Sequence, residues 1–185
     1  MEILLENSEE QFYDLLNKIE TGIIQSCDGF LVREPKLPIL KHYFTYAYTD
    51  EYNNHWFFIT MSSIGSVKLM NQDELYELAI KHSFTVEKII PFNGNEYQKE
   101  EAIQRGLNCI GRPYSWVFRN CENLMNYIQT GKSKSVQTRN IAGGVAVAGG
   151  LMMASKNKAV RNTGAAVGIF GLFVLLFDFF SENKF

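Results

Sequence analysis

Apolar residues in the first stretch of the chain fall at Phe12, Leu15, Leu16 and Ile19. That spacing predicts a helix over residues 8–19, with Ser8 as its N-cap. Residues 29–33 form a short strand candidate. Residues 42–48 and 55–61 are rich in aromatic and β-branched side chains, as strands prefer, and the turn-forming run TDEYNN lies between them. The pair reads as a hairpin. Residues 71–82 place Leu75, Leu78 and Ala79 on one helical face, and residues 84–90 read as a strand stopped by Pro91. A further helix is predicted over residues 95–110. Acids from Glu96 to Glu101 load its first turns, and Gly111 stops it. The last helix of this part runs over residues 120–130 and stops at Gly131. Strands followed by helices predict an α+β domain, an antiparallel sheet with helices packed against it.

The 185 residues suit one domain plus an appendage, and with 46% hydrophobic positions the chain is neither disordered nor a bare coiled coil. Charge separates the two parts. Residues 1–130 carry 11 Lys/Arg against 18 Asp/Glu, and residues 131–185 carry 7 against 2, so the front is net negative by 7 and the back net positive by 5. This balance argues against a nucleic-acid partner. Three cysteines, with no C-x-x-C and no N-terminal signal peptide, argue against a disulfide scaffold and for a reducing compartment. No cofactor and no metal site are expected.

Candidate chemistry concentrates around Cys121. Asn120 is a good N-cap, so Cys121 opens a helix and feels the positive end of its dipole, which favours the nucleophilic thiolate. Cys121, Leu124, Met125 and Ile128 share the face that packs on the sheet. A buried structural cysteine would lie on that face too, so spacing alone leaves both readings open. A thiol nucleophile needs an imidazole, and an orienting group behind it. His82 ends a predicted helix, where a cation is common. His42 and His55 flank the hairpin. A turn centred on residues 48–50 sets them nearly opposite each other, about 5 Å apart. A turn at Asn53-Asn54 separates them by about six residues, ~20 Å, and forbids a dyad.

The stretch Asn120, Cys121, Glu122, Asn123, Leu124, with Tyr114-Ser115 seven residues before the cysteine, resembles the Asn-Cys-Glu-His-Phe box of the lecithin:retinol acyltransferase-like family. That family includes the HRAS-like suppressor phospholipase/acyltransferases and is a permuted relative of the NlpC-type papain-fold hydrolases. Asn123 and Leu124 stand where the family has His and Phe. The helix ending in Ile110-Gly111, and Asn126, Gly131, Ser135 and Gln137 after the box, are similar to the family pattern as well. His42 after Pro38 matches the family's first histidine, and His55 its second, at a spacing of thirteen rather than twelve. The resemblance covers about residues 28–137. It implies that Cys121 is the nucleophile, His42 the general base and acid, and His55 the residue that holds the His42 ring. Tyr114 and the backbone N–H at the helix start would stabilise the oxyanion. The implied reaction is attack on a glycerophospholipid ester to give a cysteine thioester, whose acyl group passes to water, an amine or an alcohol. Cys27 and Cys109 match no motif.

Residues 141–154 and 164–177 are each 14 residues long and uncharged. Neither alone reaches the ~20 residues a spanning helix needs. Extending the second to residues 162–180 gives 19 residues with one Asp. Lys156, Lys158 and Arg161 would hold its leading side in the cytoplasm. Gly143, Gly144, Gly149, Gly150, Gly164 and Gly168 supply small faces for helix contact, within a hairpin or in self-association. A buried soluble hairpin is the alternative. The expected organisation is a helical extension over 1–27, a catalytic domain over 28–137 and a membrane-associated segment over 138–185, with 131–140 as a linker. The expected function is a membrane-associated thiol phospholipase/acyltransferase with membrane phospholipid as substrate and its catalytic domain facing the cytoplasm. The alternatives are an NlpC-type cysteine amidase or peptidase, and a catalytically degenerate membrane-tethered or pore-forming protein.

Overall fold

The computed structural model describes residues 2–35, 41–116 and 119–180, with side chains described over 7–35, 41–116 and 119–176. Pro38, part of the resemblance above, lies outside the described residues. The elements follow in the order α1 (Glu2–Glu20), β1 (Gly29–Arg33), β2 (Lys41–Thr49), β3 (His55–Ile59), β4 (Lys68–Asn71), α2 (Gln72–His82), β5 (Thr85–Ile90), α3 (Glu96–Leu107), α4 (Cys121–Thr130), α5 (Val136–Met153) and α6 (Lys158–Phe180). The strands form one antiparallel sheet in the order β4-β3-β2-β1-β5. The fold is the α+β arrangement that the pattern predicts.

Helices cover both faces of the sheet. On one face, Phe12, Leu15 and Ile19 of α1 and Leu75 and Ala79 of α2 pack with Phe30, Val32, Phe44, Phe57 and Ile59 from the strands. On the other, Ala102 of α3 and Leu124 and Ile128 of α4 pack with Ala47, Phe58, Cys27 and Cys109. Burial from both sides explains why β3 reads HWFFI without alternation. α3 reaches the sheet through Gly106, where an added Cβ would lie 2.5 Å from the Phe58 ring. Phe58 is fully buried and has nowhere to retreat. Gly106→Ala should therefore destabilise the fold by roughly 1–3 kcal/mol through overpacking, read as a lower urea midpoint. An unchanged midpoint would mean that α3 lifts freely from the sheet.

Three helices begin with asparagine capping boxes, at Asn71, Asn95 and Asn120. α1 begins six residues before the predicted cap, and Ser8 is a buried residue inside it, 1% exposed. Glu and Leu before Ser8 are good helix formers, so the helix runs on past it. β4 was not predicted, because KLMN has neither alternation nor a β-branched residue. α3 ends at Leu107, three residues before the predicted stop, in turns that lead to Gly111.

The hairpin register settles the histidine geometry. Asp50 accepts from the Tyr52 N–H, the Asn54 N–H and the Trp56 indole N–H, at 2.9, 2.8 and 3.0 Å, and so fixes the turn over residues 50–54. Thr49 consequently pairs with His55, and Thr45 with Phe58. His42 lies seven residues back from Thr49 along the strand, ~23 Å away. The expected contact between His55 and His42 is thus excluded. Continuing the register past the end of β3 brings Met61, not His55, opposite His42.

α5 and α6 form an antiparallel helical pair. Added Cβ atoms at Gly149 and Gly164 would each strike the backbone of the other helix, and one at Gly171 would meet the Ala146 backbone at 2.6 Å. Glycine is needed here for close approach. The outward side chains are apolar: Val147, Leu151, Ile169, Phe170, Leu172 and Phe173 are all exposed. Residues Lys158–Leu176 are long and apolar enough to cross a membrane, and only 22% of that stretch is buried.

Candidate active site

α4 presents Cys121 at its first turn because Asn120 caps it. The Asn120 side chain accepts from the Asn123 N–H at 2.9 Å, and the Asn123 side chain accepts from the Asn120 N–H at 3.3 Å. Asn123, in the place of the expected histidine, is a fully buried cap residue. The rest of the motif clamps this helix start. Asn120 Nδ2 donates to Thr138 Oγ1 at 2.8 Å, and Glu122 accepts from the Ser135 hydroxyl at 2.6 Å and the Gln137 N–H at 2.9 Å. Asn126 Nδ2 donates to the Lys134 carbonyl at 2.6 Å, and Gly131 ends the helix at φ 72°, which suits glycine. Residues 131–140 are therefore not the free linker expected. Ser133, Ser135 and Thr138 are buried there, held by the polar groups at the start of α4.

The Cys121 thiol is 3% exposed and donates to the Lys41 carbonyl at 3.7 Å. The Tyr43 N–H also bonds to the sulfur. These are the peptide groups on either side of His42, beyond the last pair of β2 with β3. Burial pushes the thiol up to about 11, outweighing the backbone N–H groups that stabilise a thiolate. The expectation of a thiolate favoured by the helix start is thus reversed: burial keeps the Cys121 thiol neutral.

Cys121, His42 and Tyr114 line one cavity of about 170 Å³, together with Glu34, His82 and Trp116. His42 is 9% exposed, and burial lowers its pKa below the usual 6.5, with Glu34 opposing that shift. Its Nε2 lies 3.8 Å from Glu34 Oε2, and His82 Nδ1 lies 3.4 Å from Glu34 Oε1. The ring of Phe84 contacts both imidazoles, stacking on His82 at an interplanar angle of 11°. Tyr114 has its phenol pushed upward by burial, and its N–H donates to the Gly65 carbonyl at 2.9 Å. His55 is elsewhere. Its Nδ1 lies 2.8 Å from Thr49 Oγ1, which in turn bonds to the Tyr46 hydroxyl. Its expected role in holding His42 does not fit this place, because a turn fixed by Asp50 carries it away.

Sequence reasoning did not single out Glu34, and His82 closes α2 as expected. A carboxylate before Pro35 has no local signal. His82 reads as a helix-end cation, and it gains a carboxylate partner only because β5, three residues on, pairs with β1, Thr85 opposite Arg33. Cys27 and Cys109 are fully buried, and burial pushes their thiols up to about 12 and about 11.

These shifts set a pH window for stability. His42 and His55 are both lowered, so on acidification below about 6.5 the unfolded chain takes up protons before the folded one. The three thiols are raised from 9.0, so above that pH the unfolded chain loses protons first. Stability should be greatest between about 6.5 and 9 and fall on both sides. Tm measured in detergent from pH 5 to 10 checks this, and a Tm that rises on acidification to pH 5 contradicts it.

A family model described as lecithin retinol acyltransferase matches residues 40–134. No curated protein matches the chain. The matched residues begin just before His42 and end after the clamped Cys121 helix, and they make up just over half of the chain. On that match the chain belongs to the lecithin retinol acyltransferase family, whose members are typically acyltransferases.

Proposed function

We propose that this protein is a membrane-associated thiol phospholipase/acyltransferase that cleaves glycerophospholipid acyl esters through a thioester on Cys121. One observation carries the reading: Cys121, His42 and Tyr114 converge on a single cavity beside the apolar helical pair. Trp116 lines this cavity and also an adjoining apolar groove of about 90 Å³, walled by Ile141, Ala142, Val145 and Phe170. A groove of that character suits an acyl chain better than a peptide, which favours lipid over an amidase substrate.

With thiol and imidazole both neutral at rest, the thiol proton passes to His42 as sulfur attacks the ester carbonyl. The oxyanion forms at the start of α4, where backbone N–H groups and the Tyr114 hydroxyl supply donors. The His42 imidazolium then protonates the departing lysophospholipid oxygen and leaves the thioester. Water, an amine or an alcohol gives its proton to His42 and takes the acyl group, and His42 returns that proton to the departing Cys121 thiolate. Because the thiol is held at about 11, His42 must act as a true general base, and the rate should follow deprotonation of its ring.

Brief incubation of the full chain with phosphatidylcholine vesicles, followed by intact-mass analysis, tests the reading. The expected result is one added fatty acyl chain on Cys121, released by hydroxylamine. Acylation by amide or peptide substrates but never by lipid would favour the amidase. No acylation by any of them would favour the degenerate reading, for which Asn123 and Met61 speak.

A further inference from the structure

We propose that Glu34 is the positioning residue of this site, holding the His42 ring through Nε2 while His82 holds the carboxylate from its other side. The inference rests on the roles of Cys121 and His42 proposed above, and it fills the place that His55 does not occupy. Continued register puts Met61 across from His42, and a thioether cannot orient an imidazole by hydrogen bonding to it with any strength. Glu34 can. It follows β1, whose Val32 pairs with His42, so the strand ladder itself delivers the carboxylate to the ring.

Glu34 is 8% exposed, and a carboxylate so buried needs a positive or donating partner. Among the described residues, its ion-pair neighbours are the two imidazoles, at 3.8 and 3.4 Å. Nε2 of His42 is buried without a hydrogen-bond partner, and so is Nε2 of His82. The His42 nitrogen is aimed at a carboxylate oxygen about 1 Å beyond bonding distance. Such a gap is common in a resting site and closes when the ring becomes charged.

The proton bookkeeping is complete within these groups. In the resting ring, hydrogen sits on Nε2, facing Glu34, and the Nδ1 lone pair is free. The S–H bond of Cys121 breaks, an N–H bond forms at Nδ1, and the thiolate electron pair enters the ester carbonyl carbon. The resulting imidazolium lies against the Glu34 carboxylate. The titratable groups that line the cavity around His42 are Glu34 just after β1, Lys41 of β2, His82 at the end of α2, Tyr114 on the approach to α4 and Cys121 at its start.

The test uses the full chain in detergent, with the His42 titration read by NMR and acyl release read in parallel. Glu34→Gln should lower kcat about 10- to 100-fold with KM within about twofold, and should move the His42 titration and the acid limb of kcat to lower pH. Glu34→Asp should recover part of the rate. His82→Gln should shift the His42 titration the other way, upward, because a neighbouring ring that competes for the carboxylate is gone. A structural role alone predicts no such opposed shifts. Unchanged His42 titration in both Glu34→Gln and His82→Gln overturns the proposal. If Glu34→Gln does not fold, the sign of the His82→Gln shift decides. If wild-type protein releases no acyl chain yet the titrations shift as stated, the lipid-ester reading fails and the Glu34 arrangement stands.

Discussion

Cys121→Ser should reduce acyl release from phospholipid vesicles to background and leave the fold intact. Serine is slightly smaller than cysteine and fits the space. What it lacks is acidity. His42 must already withdraw a proton from a thiol held at about 11, and a hydroxyl in the same pocket is far harder to deprotonate. His42→Ala should cost ~10²-fold or more, as loss of a general base does. Cys27→Ser and Cys109→Ser should keep the rate per folded molecule, since neither thiol lines the cavity. His55→Ala should also leave kcat within a few-fold, because its ring bonds to Thr49 at the far end of the hairpin. Full ester hydrolysis by Cys121→Ser would remove the nucleophile assignment, and a larger loss at His55 than at His42 would remove the base assignment.

The second large effect concerns the helical pair. The full chain should sediment with membranes and resist extraction by high salt or alkaline carbonate. The outward side chains of α5 and α6 are Val, Leu, Ile and Phe, exposed in the folded chain. Each is worth roughly 1.5–3 kcal/mol when buried in lipid. A truncated chain ending at Asn140 should stay soluble and folded, whereas one ending at Gln137 should be less stable. The difference is Thr138, whose hydroxyl accepts from Asn120 at 2.8 Å beneath the cap of the Cys121 helix. Closed pairing also constrains how the segment meets the bilayer. α5 is 18 residues long, ~27 Å, so the basic turn at Lys156 and Lys158 lies at the opposite end of the pair from the Cys121 domain. Pushing those charges through the bilayer costs about 2.5–3.5 kcal/mol each at its centre. A pair lying along the interface keeps the basic turn and the domain on one side. Cysteine placed at Lys158 should then react with an impermeant reagent from the same side as the domain. Full-length protein that is monomeric and soluble without detergent would defeat membrane association altogether.

Legibility differed from element to element. α2, α3 and α4 could be placed because Asn71, Asn95 and Asn120 cap them and their apolar residues recur at helical spacing. Those signals lie within one or two turns of chain. β4 escaped because four residues at a sheet edge take their conformation from the strand beside them. Ser8 misled because a good cap residue inside a run of strong helix formers is overridden by the run. The tail was readable as an apolar pair for the opposite reason to β4: composition over many residues, and glycines at matched intervals, need no partner elsewhere to be recognised.

The candidate site divides along the same line. Cys121 at a helix start, with Asn120 capping it, follows from a local box and was settled by the sequence. So was membership in the lecithin retinol acyltransferase family, because the box and its surrounding pattern are contiguous. Whether His42 meets His55 was decided only by tertiary structure, since Asp50 gathers donors from Tyr52, Asn54 and Trp56, sets the turn and so fixes the register of β3 against β2. The protonation state of Cys121 was likewise decided by packing: the helix start is local, but the burial that outweighs it comes from strands 80 residues away. Glu34 and His82 lie 48 residues apart in the chain and meet only because β5, which follows α2, pairs with β1. Sequence patterns report what a residue does within its own element. Groups brought together across the sheet leave no periodic trace, because the contact depends on register and docking rather than on neighbours in the chain.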